Sequence, residues 1–168
     1  SLDISERMTR VYKKPAFGIT KCMVDGKEQK IHKRTLCKDV FCHLQHFEKP
    51  EYKGYQPKLL IVAPMSGHHA TLLRGTVEDT LPFFDVYITD WVDANQVPIT
   101  SGSFDLDSFI DYVINYIRFL GPNVHVLAVC QPTVPVLVAT SLMSQNNDIH
   151  VPNSIILIGG PIDARKNQ

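Results

Sequence analysis

From Lys58 onward the chain alternates short apolar runs with longer stretches of helical period. Leu59-Leu60-Ile61-Val62-Ala63 is an apolar run closed by Pro64, the pattern of a buried strand. Phe83–Thr89, Val124–Val129 and Ser154–Ile158 repeat it. Strands without a polar face predict a parallel sheet covered by helices. Between them, Leu106, Phe109, Ile110, Val113, Ile114 and Ile117 follow the i, i+3, i+4, i+7 spacing of a helix with one buried face. Asp105 is its N-cap candidate, and Gly121-Pro122 stops it, because glycine accepts a left-handed backbone and proline cannot continue the helix. Further helices are expected over Ala70–Thr80, with Gly75 as a weak point, and over about Thr133–Ser144.

The first fifty residues are less regular. Ile19–Val24, the Asp25-Gly26 pair and a mixed run to Lys38 predict a β-hairpin, since both central residues of a type I′ turn need positive φ. Asp39–Phe47 carries His43 and His46. No further ligands stand nearby, so surface or half-buried histidines are expected there rather than a metal site.

Composition narrows the class. Hydrophobic residues make up 44% of the 168, and 17 Lys+Arg balance 17 Asp+Glu, which suits a soluble domain with a sizeable core. Without net positive charge, Lys13-Lys14 and Lys33-Arg34 read as solvated surface and no nucleic-acid partner is expected. No apolar run approaches the ~20 residues of a membrane span, so no membrane partner is expected. Cys22, Cys37, Cys42 and Cys130 lack metal-site spacing and read as free thiols of a reducing cytoplasm. The chain opens on Ser1 rather than Met and stops soon after a strand, as a fragment or shortened gene product would.

Ala128-Val129-Cys130-Gln131-Pro132 falls where the third apolar run meets a helix. In α/β hydrolases this tight turn carries the nucleophile, usually within G-x-S-x-G. The helix N-terminus there should favour a thiolate, the attacking species. The Gln131 N–H is then placed to bind an oxyanion, and a second donor, Met65 or Ser66, would come from the loop after the first run. Ala128 and Pro132 replace the two glycines; alanine is a small change, and proline is tolerated in a first helical turn. The pattern leaves a buried structural cysteine as an equal alternative. His68 and His69 follow Met65, but the base of this fold normally arrives after the last strand, and Asp90 reads as a structural hydrogen-bonding residue. The expected architecture is an α/β-hydrolase-type, mostly parallel sheet with flanking helices and an N-terminal β-hairpin, its C-terminal strands missing. Residues 1–50 form an N-terminal segment of the same domain and 51–168 a partial core. The open edge after Ile158 should be aggregation-prone.

Three stretches together resemble the intracellular poly(3-hydroxybutyrate) depolymerases: Ala63–Thr76, Tyr87–Trp91, and Val129-Cys130-Gln131-Pro132-Thr133-Val134-Pro135. The Phe104–Asp107 helix start and Ile158–Asp163 look like that family too. The resemblance implies that Cys130 attacks the ester carbonyl of stored polyester, as granule or oligomer, and releases 3-hydroxybutyrate units through an acyl-enzyme. It implies a cytoplasmic protein at the storage-granule surface and no cofactor. The family's acid and histidine fall beyond Gln168, on the continuing chain or on a separately encoded part, so the isolated chain is expected to be inactive. A polyester synthase, disfavoured by Pro132, and an inactive granule-binding remnant are the competing readings.

Overall fold

The computed structural model describes residues 14–65, 70–93, 96–163 and 165. Strands β1 (Lys21–Val24) and β2 (Lys27–Lys30) form the expected hairpin, with Val24 opposite Lys27. Asp25 and Gly26 turn it at φ of 50° and 75°, as a type I′ turn requires. The second arm is shorter than the mixed run suggested. Ile31 is buried and its N–H donates to the Thr20 carbonyl at 2.8 Å. That anchor ends the hairpin and sends the next strand into a different sheet.

The main sheet has six strands: β3 (His32–Lys38), β4 (Cys42–Glu48), β5 (Lys58–Val62), β6 (Asp85–Trp91), β7 (Val124–Val129) and β8 (Ser154–Ile158), in the order β3-β4-β6-β5-β7-β8. The two joins involving β4 are antiparallel; β6-β5, β5-β7 and β7-β8 are parallel. Strand β4 replaces the irregular segment read around His43 and His46. Its Cys42, Leu44 and Phe47 are fully buried, and Gln45 is satisfied by Thr35 Oγ1 (2.8 Å) and by donating to Asp90 Oδ2 (3.2 Å). Strand β6 begins two residues later than the apolar run, because Phe83 stays exposed in a turn whose Phe83 and Phe84 N–H groups both donate to the Thr80 carbonyl.

Helices α1 (Arg74–Thr80), α2 (Leu106–Leu120) and α3 (Thr133–Gln145) fill the connections. The expected 70–80 helix is split: Ala70–Leu73 is a 3₁₀ turn and α1 starts next to Gly75. Asp105 caps α2, its carboxylate accepting from the Ser108 N–H at 2.8 Å, and Gly121 ends it at φ 80°.

Alternation along β5 divides the core. Leu60 and Val62 face α2 and α3, meeting Phe109, Val113, Ala139 and Met143. Leu59 and Ile61 face α1 and the N-terminal segment, meeting Val77, Phe17 and Ile31. Burying such side chains stabilises by roughly 1.5–3 kcal/mol each.

The two sheet edges are built differently. Strand β3 carries Lys33, Arg34 and Lys38 and an irregular register between Thr35 and Cys37, features that discourage further pairing. Strand β8 carries no charge, and its Ile156 and Ile158 are each about half exposed (47% and 48%). That edge has the composition of an interior strand.

Candidate active site

Strand order reverses at β5: the chain places β6 on one side of it and β7 on the other. The crevice above the carboxyl ends of the strands at such a point is where open α/β sheets bind ligands. Here it is bounded by the segment after β5, described as far as Met65, and by the turn after β7, which is Cys130.

Cys130 adopts φ 64°, a left-handed backbone in a residue that bears a side chain. This conformation is costly for an L-residue, by roughly 1–2 kcal/mol, and the surroundings fix it. The Cys130 N–H donates to the Ile158 carbonyl at 2.7 Å. Its carbonyl accepts from the Thr133 N–H at 3.2 Å and the Thr133 hydroxyl at 2.7 Å. The thiol is left exposed at the start of α3. Pro132 is buried at φ −67° and ψ −8°, so it continues into the helix without conflict. The close approach that glycines around a nucleophile usually permit falls elsewhere, on Gly160 after β8, which lies against Thr133. Sequence reasoning missed both Thr133 and Gly160 as supports; Gly159-Gly160 just past the last strand was the available signal.

Gln131 is exposed. Its main-chain N–H makes no hydrogen bond among the described residues, while its side-chain Oε1 accepts the Met65 N–H at 3.0 Å. Two of the expected oxyanion donors, Gln131 and Met65, are therefore brought together, but Met65 is engaged by the amide. Ser66, His68 and His69 lie outside the described residues.

A cleft of about 670 Å³ opens over Cys130. Phe104, Leu106 and Phe109 from the start of α2 form one wall, and Val134, Pro135 and Pro161 another. Leu106, expected in the core, is instead 55% exposed and faces this cleft. Behind the first wall, Trp91 packs on Phe109 with ring centroids 4.4 Å apart and donates its Nε1–H to the Ala63 carbonyl at 2.8 Å. The Ala63 N–H in turn donates to Thr89 Oγ1 at 2.9 Å. These bonds fix the end of β5 from which Met65 projects.

Asp90, His46 and Asp85 serve the frame. Asp90 is paired with Lys14 at 3.0 Å and accepts from Gln45, so both its oxygens are held. His46 Nε2 lies 2.6 Å from Asp85 Oδ1, its ring stacked on Tyr87, whose hydroxyl donates to Asp85 Oδ2 at 2.8 Å. Burial pushes Asp85 upward, but the bond and charge of His46 and the Tyr87 hydroxyl outweigh it and hold the carboxyl below the usual range. This His–carboxylate pair cannot reach Cys130. Asp85 and Val124 both lie level with Lys58, and Cys130 follows Val124 by six residues, roughly 20 Å along the strand. No described histidine lines the cleft. Burial raises the thiol pKa of Cys22, Cys37 and, most of all, Cys42. Among the described residues no group of three or more His, Cys, Asp or Glu could hold a metal ion, and no helix is long and apolar enough to cross a membrane.

No protein-family model and no curated protein matches the chain. Solved structures do. The N-formylmaleamic acid deformylase of Pseudomonas putida S16 superposes with a TM-score of 0.57 at 18% identity over 80% of this chain and 48% of its own. An α/β hydrolase from the metagenome of Lake Arreo, Spain, gives 0.54 at 12% over 95% and 56%. The naproxen esterase of Bacillus subtilis gives 0.53 at 10% over 76% and 42%. This chain therefore spans about half the length of the structures it matches. The shared architecture defines its class: the fold is that of the α/β hydrolases.

Proposed function

We propose that this chain is the nucleophile-bearing part of an ester hydrolase that degrades poly(3-hydroxybutyrate) through Cys130. The observation that carries the reading is the left-handed Cys130 at the strand-to-helix turn, exposed beneath an apolar cleft. A thiol there meets a carbonyl entering from solvent, and the walls suit the methyl and methylene groups of a 3-hydroxybutyryl unit. The esterase and deformylase among the fold neighbours share the framework, and the Cys-Gln-Pro-Thr-Val-Pro segment supplies the polyester reading.

In the proposed reaction Cys130 Sγ bonds to the ester carbonyl carbon, and the carbonyl oxygen becomes an oxyanion. The N–H groups of Gln131 and of Met65 or Ser66 are its donors. Collapse breaks the carbon–oxygen ester bond, and the departing 3-hydroxyl end takes up a proton. Water then cleaves the thioester, giving a carboxylic acid and the free thiol. The proton transfers require a base. The described part of the cleft offers no histidine, His68 and His69 lie outside the described residues, and the chain spans about half the length of the structures it matches, so we assign that role to the part of the fold those structures have in addition.

Release of 3-hydroxybutyrate from amorphous granules tests the reading, with the chain alone, the chain joined to its C-terminal continuation, and the Cys130→Ala version of each. The joined protein should turn over with dependence on Cys130, and the chain alone should lag by orders of magnitude. Turnover by the joined protein that survives Cys130→Ala would sink the nucleophile assignment. Turnover by the chain alone that vanishes in Cys130→Ala would return the base role to His68 or His69.

A further inference from the structure

We propose that the side-chain amide of Gln131 occupies the oxyanion site of the free protein and must yield to the substrate's carbonyl oxygen, so that it sets how readily Cys130 is acylated. The inference rests on Cys130 being the nucleophile. Gln131 enters the site twice. Its main-chain N–H has no partner among the described residues, and its Oε1 accepts the Met65 N–H at 3.0 Å. An amide oxygen is the same kind of acceptor as an ester carbonyl oxygen, both sp² and both accepting from a peptide N–H. The protein thus carries a surrogate for the substrate group on one of its candidate donors.

The surrogate has a directional consequence. An ester carbonyl that takes the Met65 N–H from Gln131 exchanges one neutral hydrogen bond for another and gains little on binding. Once sulfur bonds to the carbon, the oxygen carries negative charge and becomes a much stronger acceptor. The exchange then favours the tetrahedral intermediate, so the donor discriminates the transition state from the ground state. The internal bond still has to be broken first. An intramolecular hydrogen bond that outcompetes water by the usual margin slows acylation roughly fivefold. Gln131 is exposed and Met65 is its one side-chain hydrogen-bond partner among the described residues, so the amide can leave without disturbing the core.

Two reagents separate this effect from thiol reactivity in general. With p-nitrophenyl acetate, Sγ bonds to the carbonyl carbon and the bond from that carbon to the aryloxy oxygen breaks. p-Nitrophenolate leaves with the electron pair, and the thiol proton passes to buffer. With iodoacetamide, Sγ bonds to the methylene carbon and iodide leaves, with no oxyanion at any stage. The ratio of acylation to alkylation rate constants at Cys130, followed by mass spectrometry, reports the oxyanion site alone. The full chain is compared with Gln131→Ala, Gln131→Met, which keeps length but removes the acceptor, and Gln131→Glu. The ratio should rise roughly fivefold in the Ala and Met variants and fall below that of the parent in the Glu variant, whose carboxylate grips Met65 harder. An unchanged or lowered ratio in both Ala and Met overturns the proposal. A rise in Ala alone also overturns it, since bulk rather than the hydrogen bond would then be responsible. Absence of acylation at Cys130 in every variant, with alkylation intact, overturns the nucleophile reading and this proposal with it.

Discussion

Gly160 stands so close to Thr133 that a Cβ built on it would lie 1.6 Å from the Thr133 hydroxyl oxygen and 2.4 Å from its Cβ. Thr133 is buried, β-branched and bonded to the Cys130 carbonyl, so it has little freedom to turn away. The loop after β8 and the start of α3 are thus locked together directly behind the Cys130 turn.

Gly160→Ala should therefore cost about 1–3 kcal/mol, the usual penalty for overpacking. The displaced Thr133 should also loosen its grip on Cys130. Urea unfolding reads the first effect, and the rate of Cys130 alkylation in the folded variant reads the second. A midpoint unchanged from the parent would show that the loop can move aside freely.

Legibility in the sequence followed locality. Strands β5, β7 and β8 and helix α2 were readable because their apolar spacing and caps lie within one window. Strand β4 was not, because His43, Gln45 and His46 look solvent-bound until their partners on neighbouring strands are known. Gln45 meets Thr35 and Asp90, and His46 meets Asp85 and Tyr87. The strand-to-helix turn at Cys130 was readable from the strand–Cys–Pro pattern, whereas the contacts that hold it come from β8 and the loop beyond. The Gln131–Met65 bond joins two loops far apart in the chain, and no local rule anticipates it.

The four cysteines should alkylate in a fixed order. Cys130 is exposed, Cys22 and Cys37 are half-buried with thiols raised by burial, and Cys42 is fully buried and raised furthest. Because the thiolate is the reactive species, brief iodoacetamide treatment near neutral pH should label Cys130 first and Cys42 last. Mass spectrometry ranks them, with circular dichroism confirming a folded sample. Labelling of Cys42 at the rate of Cys130 would contradict the burial described.

Acid should weaken the fold partly through Asp85. Its folded-state pKa lies below its unfolded value because His46 and Tyr87 favour the ionised form despite burial. The stabilisation is therefore present above the unfolded value of about 3.9 and is lost as pH falls through the lower folded value. Asp85→Asn should cost roughly 1–2 kcal/mol near neutral pH and flatten the decline of Tm below pH 4. An acid limb as steep as that of the parent would remove Asp85 from the explanation.

On the proposed function, the backbone at Cys130 sets stability against chemistry. At φ 64° a side chain is strained, whereas glycine adopts that region at little cost. The strain persists because three hydrogen bonds, from Cys130 to Ile158 and from the Thr133 N–H and hydroxyl to Cys130, hold the turn while the thiol gains nothing by burial. Cys130→Gly should therefore raise stability by about 1 kcal/mol while removing the thiol. Cys130→Ala also removes the thiol but keeps a Cβ, so it should leave stability near that of the parent. The difference between the two variants isolates the backbone term from any effect of sulfur. Thermal unfolding measures it directly: a Gly variant that melts above the Ala variant is expected. Equal melting temperatures would mean that the turn relaxes once the thiol is gone, and the left-handed cysteine would then be a consequence of its side chain rather than of the loops that frame it.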